Sequence, residues 1–113
     1  MPYILTKTNV SISKEREIAL KSAFGKAIEL VPGKSERWLM LAFSDNERMW
    51  FAGDDSPAAL LEVKIFGSAS PEHYDELTAS LTQVVSSELN IAPNRIYIKY
   101  DEVDNWGWNG SDF

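Results

Sequence analysis

The chain has 113 residues, 44% of them apolar, with 17 acids against 11 bases and a net charge of -6. Length and apolar share predict one packed domain over residues 1–113, and the acidic balance argues against a nucleic-acid partner, whose phosphates need a cationic face. With no cysteine and His73 as the single histidine, disulfides, thiolate or two-histidine metal sites, CxxC redox chemistry and cysteine nucleophiles are excluded.

Pro2 to Asn9 reads as a β-strand, with proline at its head where the missing N–H does least harm. Ser11 or Ser13 then caps a helix, with Glu15 and Glu17 in its first turn, where a helix favours anions. Leu20, Phe24, Ala27, Ile28 and Val31 recur at helical spacing, Glu17 and Lys21 form an i,i+4 pair, and Pro32-Gly33 ends the helix. Trp38 to Phe43 is a continuous apolar run, read as a strand covered on both faces. Met49 to Ala52 reads as a further short strand before the turn residues Gly53 to Pro57.

Residues 58–66 alternate, with Leu61, Val63 and Ile65 on one face and Glu62, Lys64 and Phe66 on the other. Ser70-Pro71-Glu72 opens a second helix whose apolar stripe runs from Tyr74 to Leu89. Arg95 to Asp101 alternates again, with Ile96, Ile98 and Tyr100 opposite Arg95, Tyr97 and Lys99. The tail from Asn105 to Gly110 is rich in Trp and Gly.

The order is strand, helix, strand, repeated once, with matching outlines such as Glu29-Leu30 before Pro32 and Glu88-Leu89 before Pro93. That pattern predicts an α+β two-layer sandwich of two βαβ units, with both helices on one face of one sheet. The other face is left bare, so oligomerisation is expected, with the tail tryptophans as candidate packing residues.

Conventional catalytic sets are absent. There is no nucleophile elbow or phosphate loop, Asp54-Asp55 reads as a solvated turn, and His73 reads as a surface helix residue. The longest apolar run, Trp38 to Phe43, is far short of the roughly 18 residues that span a bilayer, so no membrane partner is expected. The first residues lack a basic and an apolar signal region, so a cytoplasmic location is expected.

One unusual group remains. Pro2 follows the initiator Met directly, and methionine is generally removed before a small residue such as proline. The product is a secondary amine. Free α-amino groups have a pKa of roughly 7.7–8.0, and burial or a nearby ammonium lowers it, so such an amine can act as a general base near neutral pH.

The whole chain resembles the macrophage migration inhibitory factor and D-dopachrome tautomerase family. The resemblance rests on Pro2, Thr8-Asn9-Val10, Gly33-Lys34, Phe51-Ala52-Gly53 with Ser56-Pro57, Ile65-Phe66-Gly67, Pro93 to Ile98, and Gly107 to Ser111 before Phe113. It implies a homotrimer of such subunits whose sheets line a central barrel, with active sites between neighbours. It implies a cofactor-independent keto–enol tautomerase acting on a small anionic aromatic α-keto acid such as phenylpyruvate. Pro2 is then the catalytic base. Lys34 holds the substrate carboxylate with help from the backbone of Phe66. Tyr97 comes from the neighbouring subunit, and Trp38, Trp106, Trp108 and Phe113 form the pocket rim.

The sequence departs from the family pattern in places. Lys99 replaces the usual Asn and lies on the Tyr97 face, where it adds a second cation for an anionic substrate or lies in solvent. Phe66 and Trp106 replace smaller residues and narrow the pocket. Ala58 to Leu61 replace the CxxC segment of the animal cytokine, so its thiol chemistry is not expected. The alternative reading is a cytokine-like trimer, exported without a signal peptide, that binds a receptor protein through a vestigial pocket.

Overall fold

The computed structural model describes residues 1–113. Its main sheet is built from β1 (Pro2–Thr8), β2 (Met40–Ser44), β3 (Ala59–Phe66) and β4 (Ile96–Val103), in the order β2-β1-β3-β4. β1 pairs parallel with β2, and β3 pairs parallel with β4. The two βαβ units meet where β1 runs antiparallel to β3, with Pro2 opposite Ile65 and Thr8 opposite Ala59. The predicted duplicated architecture is therefore present.

Helix α1 (Lys14–Ala27) starts at Ser13, whose hydroxyl accepts from the Arg16 amide. Ser11 instead bonds the Asn46 side chain. The expected Glu17–Lys21 pair does not form: Glu17 takes Lys14 at 3.0 Å, and Lys21 lies 4.0 Å from Glu36. The helix tightens into a 3-10 turn over Ile28–Leu30 before Pro32. Helix α2 (Pro71–Leu89) starts at Ser70 with Pro71 in its first turn, as predicted. It stops at Asn90, which takes the left-handed conformation (φ 56) that asparagine tolerates at a helix end.

Period-2 alternation puts Ile4, Leu61, Val63 and Ile65 under the helices. They pack with Leu20, Phe24, Leu77, Leu81 and Val85 into one core. Phe43 of β2 joins this side by stacking on Phe24 at 6.3 Å.

Two expected strands need correction. Trp38 is not in β2: Glu36–Trp38 form a 3-10 turn, and the strand begins at Met40. An apolar run carries no period, so a tight turn of large side chains reads like a buried strand. Met49 to Ala52 form no strand; Phe51 and Asp54 make an isolated bridge around a turn with Ala52 at φ 55 and Gly53 at φ 82. The tail folds into a small hairpin of β5 (Gly107–Trp108) and β6 (Ser111–Asp112).

No helix covers the second sheet face. Of β2, only Met40, Ala42 and Ser44 point there, because Leu41 and Phe43 pack against the core. Across the middle of that face runs a ladder of charges. Lys7 lies 3.4 Å from Glu62, Lys64 lies 3.9 Å from Glu62 and 3.3 Å from Asp101, and Lys99 lies 3.1 Å from Asp101. Met40 and Tyr97, on the two edge strands of this face, are exposed, as are Ile18, Leu30, Trp50, Trp108 and Phe113 elsewhere.

Candidate active site

The chain's amine sits at the start of β1, beside the end of β3. The Phe66 amide donates to the Met1 carbonyl at 3.0 Å, extending the β1–β3 ladder by one residue. Lys34 reaches the same point from the loop after α1. Gly33 adopts φ 81, a left-handed turn that glycine enters without strain and that aims the next residue back at the sheet. The Lys34 ammonium then donates to the Phe66 carbonyl at 2.9 Å.

This setting perturbs the amine. Its pKa is held below the usual 8.0, first by burial, then by the charge of Lys34 and a hydrogen bond with its side chain. Both effects penalise the protonated form. Pro2 itself is buried, and its nitrogen is in the peptide bond to Met1.

Aromatic rings wall this end. Trp38 meets Trp108 edge to face at 5.1 Å, Trp108 stacks on Phe113 at 6.3 Å, and Phe113 lies 5.6 Å from Phe66. The Phe113 amide donates to the Trp106 carbonyl and ties the chain end to the hairpin. Two cavities open here. One, of about 340 Å³, is lined by Met1, Gly33, Trp38, Phe66 and Phe113. The other, of about 700 Å³, takes Met1, Pro2, Arg37, Trp38, Trp106 and Trp108 among its walls. Met1 and Trp38 belong to both and stand between them.

Pro2, Lys34, Phe66, Trp38, Trp106, Trp108 and Phe113 thus come together. Tyr97 and Lys99 do not join them. Tyr97 pairs in register with Leu60 while Pro2 pairs with Ile65. Five residues of β3 separate those partners, about 17 Å at roughly 3.3 Å per residue. Tyr97 is exposed and packs on Phe51 at 4.8 Å. Lys99, on the same face as Tyr97, is exposed and paired with Asp101 of its own chain at 3.1 Å.

Arg37 and Arg95 are two residues that the sequence pattern alone does not single out. Arg37 lies in the turn that carries Trp38, just ahead of the run expected as a strand. Arg95 bonds the carbonyl oxygens of Phe51, Asp54, Ser56 and Pro57, contacts too distant in sequence to leave a local signal. No three His, Asp or Glu side chains converge as a metal-ligand set, and no helix is long and apolar enough to cross a membrane.

A duplicated βαβ sheet with a perturbed amine at the head of its first strand defines a protein of the tautomerase fold class. Comparison with known proteins agrees. The chain matches the family model for macrophage migration inhibitory factor over residues 1–113. It is 30% identical over 115 aligned positions to the macrophage migration inhibitory factor of Meriones unguiculatus, covering 100% of this chain and 99% of that protein. Among solved structures, MIF2 of Leishmania major superposes with a TM-score of 0.94 at 32% identity, over 100% of this chain and 97% of that one. The homologue from Prochlorococcus marinus superposes with a TM-score of 0.89 at 29% identity, over 98% of each chain. The chain belongs to the macrophage migration inhibitory factor family.

Proposed function

We propose that this protein is a cofactor-independent keto–enol tautomerase acting on aromatic α-keto acids such as phenylpyruvate, with Pro2 as the base once Met1 is removed. The observation that carries this reading is the environment of the amine. Burial and Lys34 hold an amine at this end of β1 below its usual pKa, which favours the free base that a proton abstraction needs. Excision of Met1 moves the amine to Pro2, frees the Phe66 amide and removes a residue that lines both cavities.

The substrate carboxylate pairs with the Lys34 ammonium, which the Phe66 carbonyl holds in place. The Pro2 nitrogen takes the proton from the carbon next to the carbonyl. Negative charge moves to the carbonyl oxygen, where placed donors stabilise it. The same proton is then returned to that oxygen. The aromatic wall of Trp38, Trp106, Trp108 and Phe113 takes the ring.

We further propose that the complete site needs three copies of the chain in a ring. Support comes from Tyr97, about 17 Å from Pro2 along its own sheet at roughly 3.3 Å per residue. Exposed Trp50, Met40 and Tyr97 give apolar surface for that assembly.

The deciding experiment compares two proteins by mass-verified N-terminus: one with Pro2 first, the other with Met1 retained behind an N-terminal extension. Phenylpyruvate turnover should fall about 10²- to 10⁴-fold in the second, the usual contribution of a general base. Equal turnover overturns the proline mechanism. A second reading follows from the Met1-bearing state, in which the Pro2 nitrogen is an amide and no base. In that state the pocket is a recognition site, and binding of a partner that survives Pro2→Gly would support it.

A further inference from the structure

The two cavities at the amine end differ in their cations. Lys34 is bound to the carbonyl of Phe66, which lines the smaller. Arg37 lines the larger, with its guanidinium carbon 5.2 Å over the Trp38 ring. Arg37 makes no ion pair within the chain, and it is the one cationic side chain among the residues lining the larger cavity. A chain of net charge -6 could readily have matched it.

The neighbouring acid is instead drawn away. Glu36 lies along α1 where Gly25 has no side chain; a Cβ at Gly25 would collide with its carboxylate. There Lys21 reaches it at 4.0 Å. The turn therefore splits its charges, with Glu36 against the helix and Arg37 at the cavity. The contact with Trp38 keeps the guanidinium at the cavity wall, and a guanidinium suits a planar carboxylate through two parallel hydrogen bonds.

We infer that the site takes an aromatic α-keto acid carrying a second carboxylate at the far end of its ring. The keto-acid carboxylate pairs with Lys34, the ring passes Trp38, and the distal carboxylate pairs with Arg37 in the larger cavity. Arg37 is thus a specificity-determining residue. This inference rests on the tautomerase reading of the same site.

The test uses protein with Pro2 first and two substrates, phenylpyruvate and its para-carboxy derivative. Wild-type protein should favour the dicarboxylate in kcat/KM. Arg37→Gln should cut the dicarboxylate-to-monocarboxylate ratio about 10- to 100-fold, the weight of one charge-assisted contact, chiefly through KM. Arg37→Lys should restore part of it. A structural role for Arg37 lowers both substrates alike and leaves the ratio unchanged, which overturns the inference while tautomerase activity stands. If neither compound turns over, the tautomerase reading fails, and calorimetry with cinnamate and para-carboxycinnamate decides the rest. Tighter binding of the dicarboxylate that Arg37→Gln removes supports the Arg37 contact; equal binding of both overturns it.

Discussion

The Lys34 ammonium donates to the Phe66 carbonyl at 2.9 Å, while the amide of the same Phe66 donates to Met1 at 3.0 Å. One peptide residue thus anchors both the chain's amine and the cation beside it. Two of the three ammonium protons of Lys34 stay free of the Phe66 bond.

Lys34→Ala should therefore act twice in protein that begins at Pro2. Loss of the carboxylate contact should raise the phenylpyruvate KM about 10- to 100-fold. Loss of the positive charge should also move the acid limb of kcat/KM. The free amine is the active form, so activity rises with pH through the amine's pKa; for the amine at Met1, burial first and then Lys34 lower it. Without Lys34 that limb should shift to higher pH. A pH–rate profile measures it, and an unmoved limb means that the two groups are not coupled.

Arg95 should prove to be the latch of the Phe51–Pro57 turn. Its side chain is 15% exposed, bonds four carbonyl oxygens there, lies 3.1 Å from Asp54 and covers the Phe51 ring at 5.3 Å. Arg95→Ala should cost about 2–3 kcal/mol, allowing for carbonyls that water can reach. Arg95→Lys should rescue little, because one ammonium cannot reproduce a fork of donors. Urea titration reads both. Tyr97 packs on Phe51, so the same variants should disturb it, visible as altered tyrosine fluorescence.

Two threonines on one strand should respond in opposite ways. Thr8 is fully buried and donates to the Ala58 carbonyl at 2.7 Å; Thr6 is fully buried, and its hydroxyl has no partner. Thr8→Val should destabilise by about 1–2 kcal/mol, because it orphans that carbonyl. Thr6→Val removes an unpaired hydroxyl at equal volume and should be neutral or stabilising by about 1 kcal/mol. Equal losses in both would show that the Thr6 hydroxyl is satisfied in solution.

Much of this arrangement was legible beforehand, and the reason differs by element. Period-2 alternation in β3 and β4 assigns each side chain a face, so the core residues Leu61, Val63 and Ile65 follow from spacing alone. The Ser70-Pro71 start of α2 follows from local capping chemistry. Lys34 beside Phe66 followed from family resemblance, not from any local signal. Trp38 in its turn was hidden, since a bulky apolar run has no period to betray a 3-10 turn. The charge ladder was hidden too, because it depends on the register of three strands, which sets Lys64 opposite Asp101.

Alkaline stability should report the contact between α2 and β4. The Tyr74 hydroxyl donates to Glu102 at 2.6 Å, and burial first, then this carboxylate, push its pKa up to about 12. The native state thus favours neutral Tyr74 more than the unfolded chain does. That stabilisation is complete below the usual value of 10.0 and is lost as pH rises towards about 12. Tyr74→Phe should flatten the decline across this window in denaturation curves taken at stepped pH. An unchanged slope would assign the decline to other groups.

The charge ladder from Lys7 through Glu62, Lys64 and Asp101 to Lys99 also governs what this sheet can enclose. Five charged side chains cannot be stripped of water without a desolvation penalty larger than their mutual attraction returns. A ring of chains closing around this face would therefore be hollow and wet, a bore lined with fixed charge instead of a dry seam. Cohesion would fall to the sheet edges and the exposed aromatics. Salt would then soften the bore lining while leaving the joints between chains largely intact.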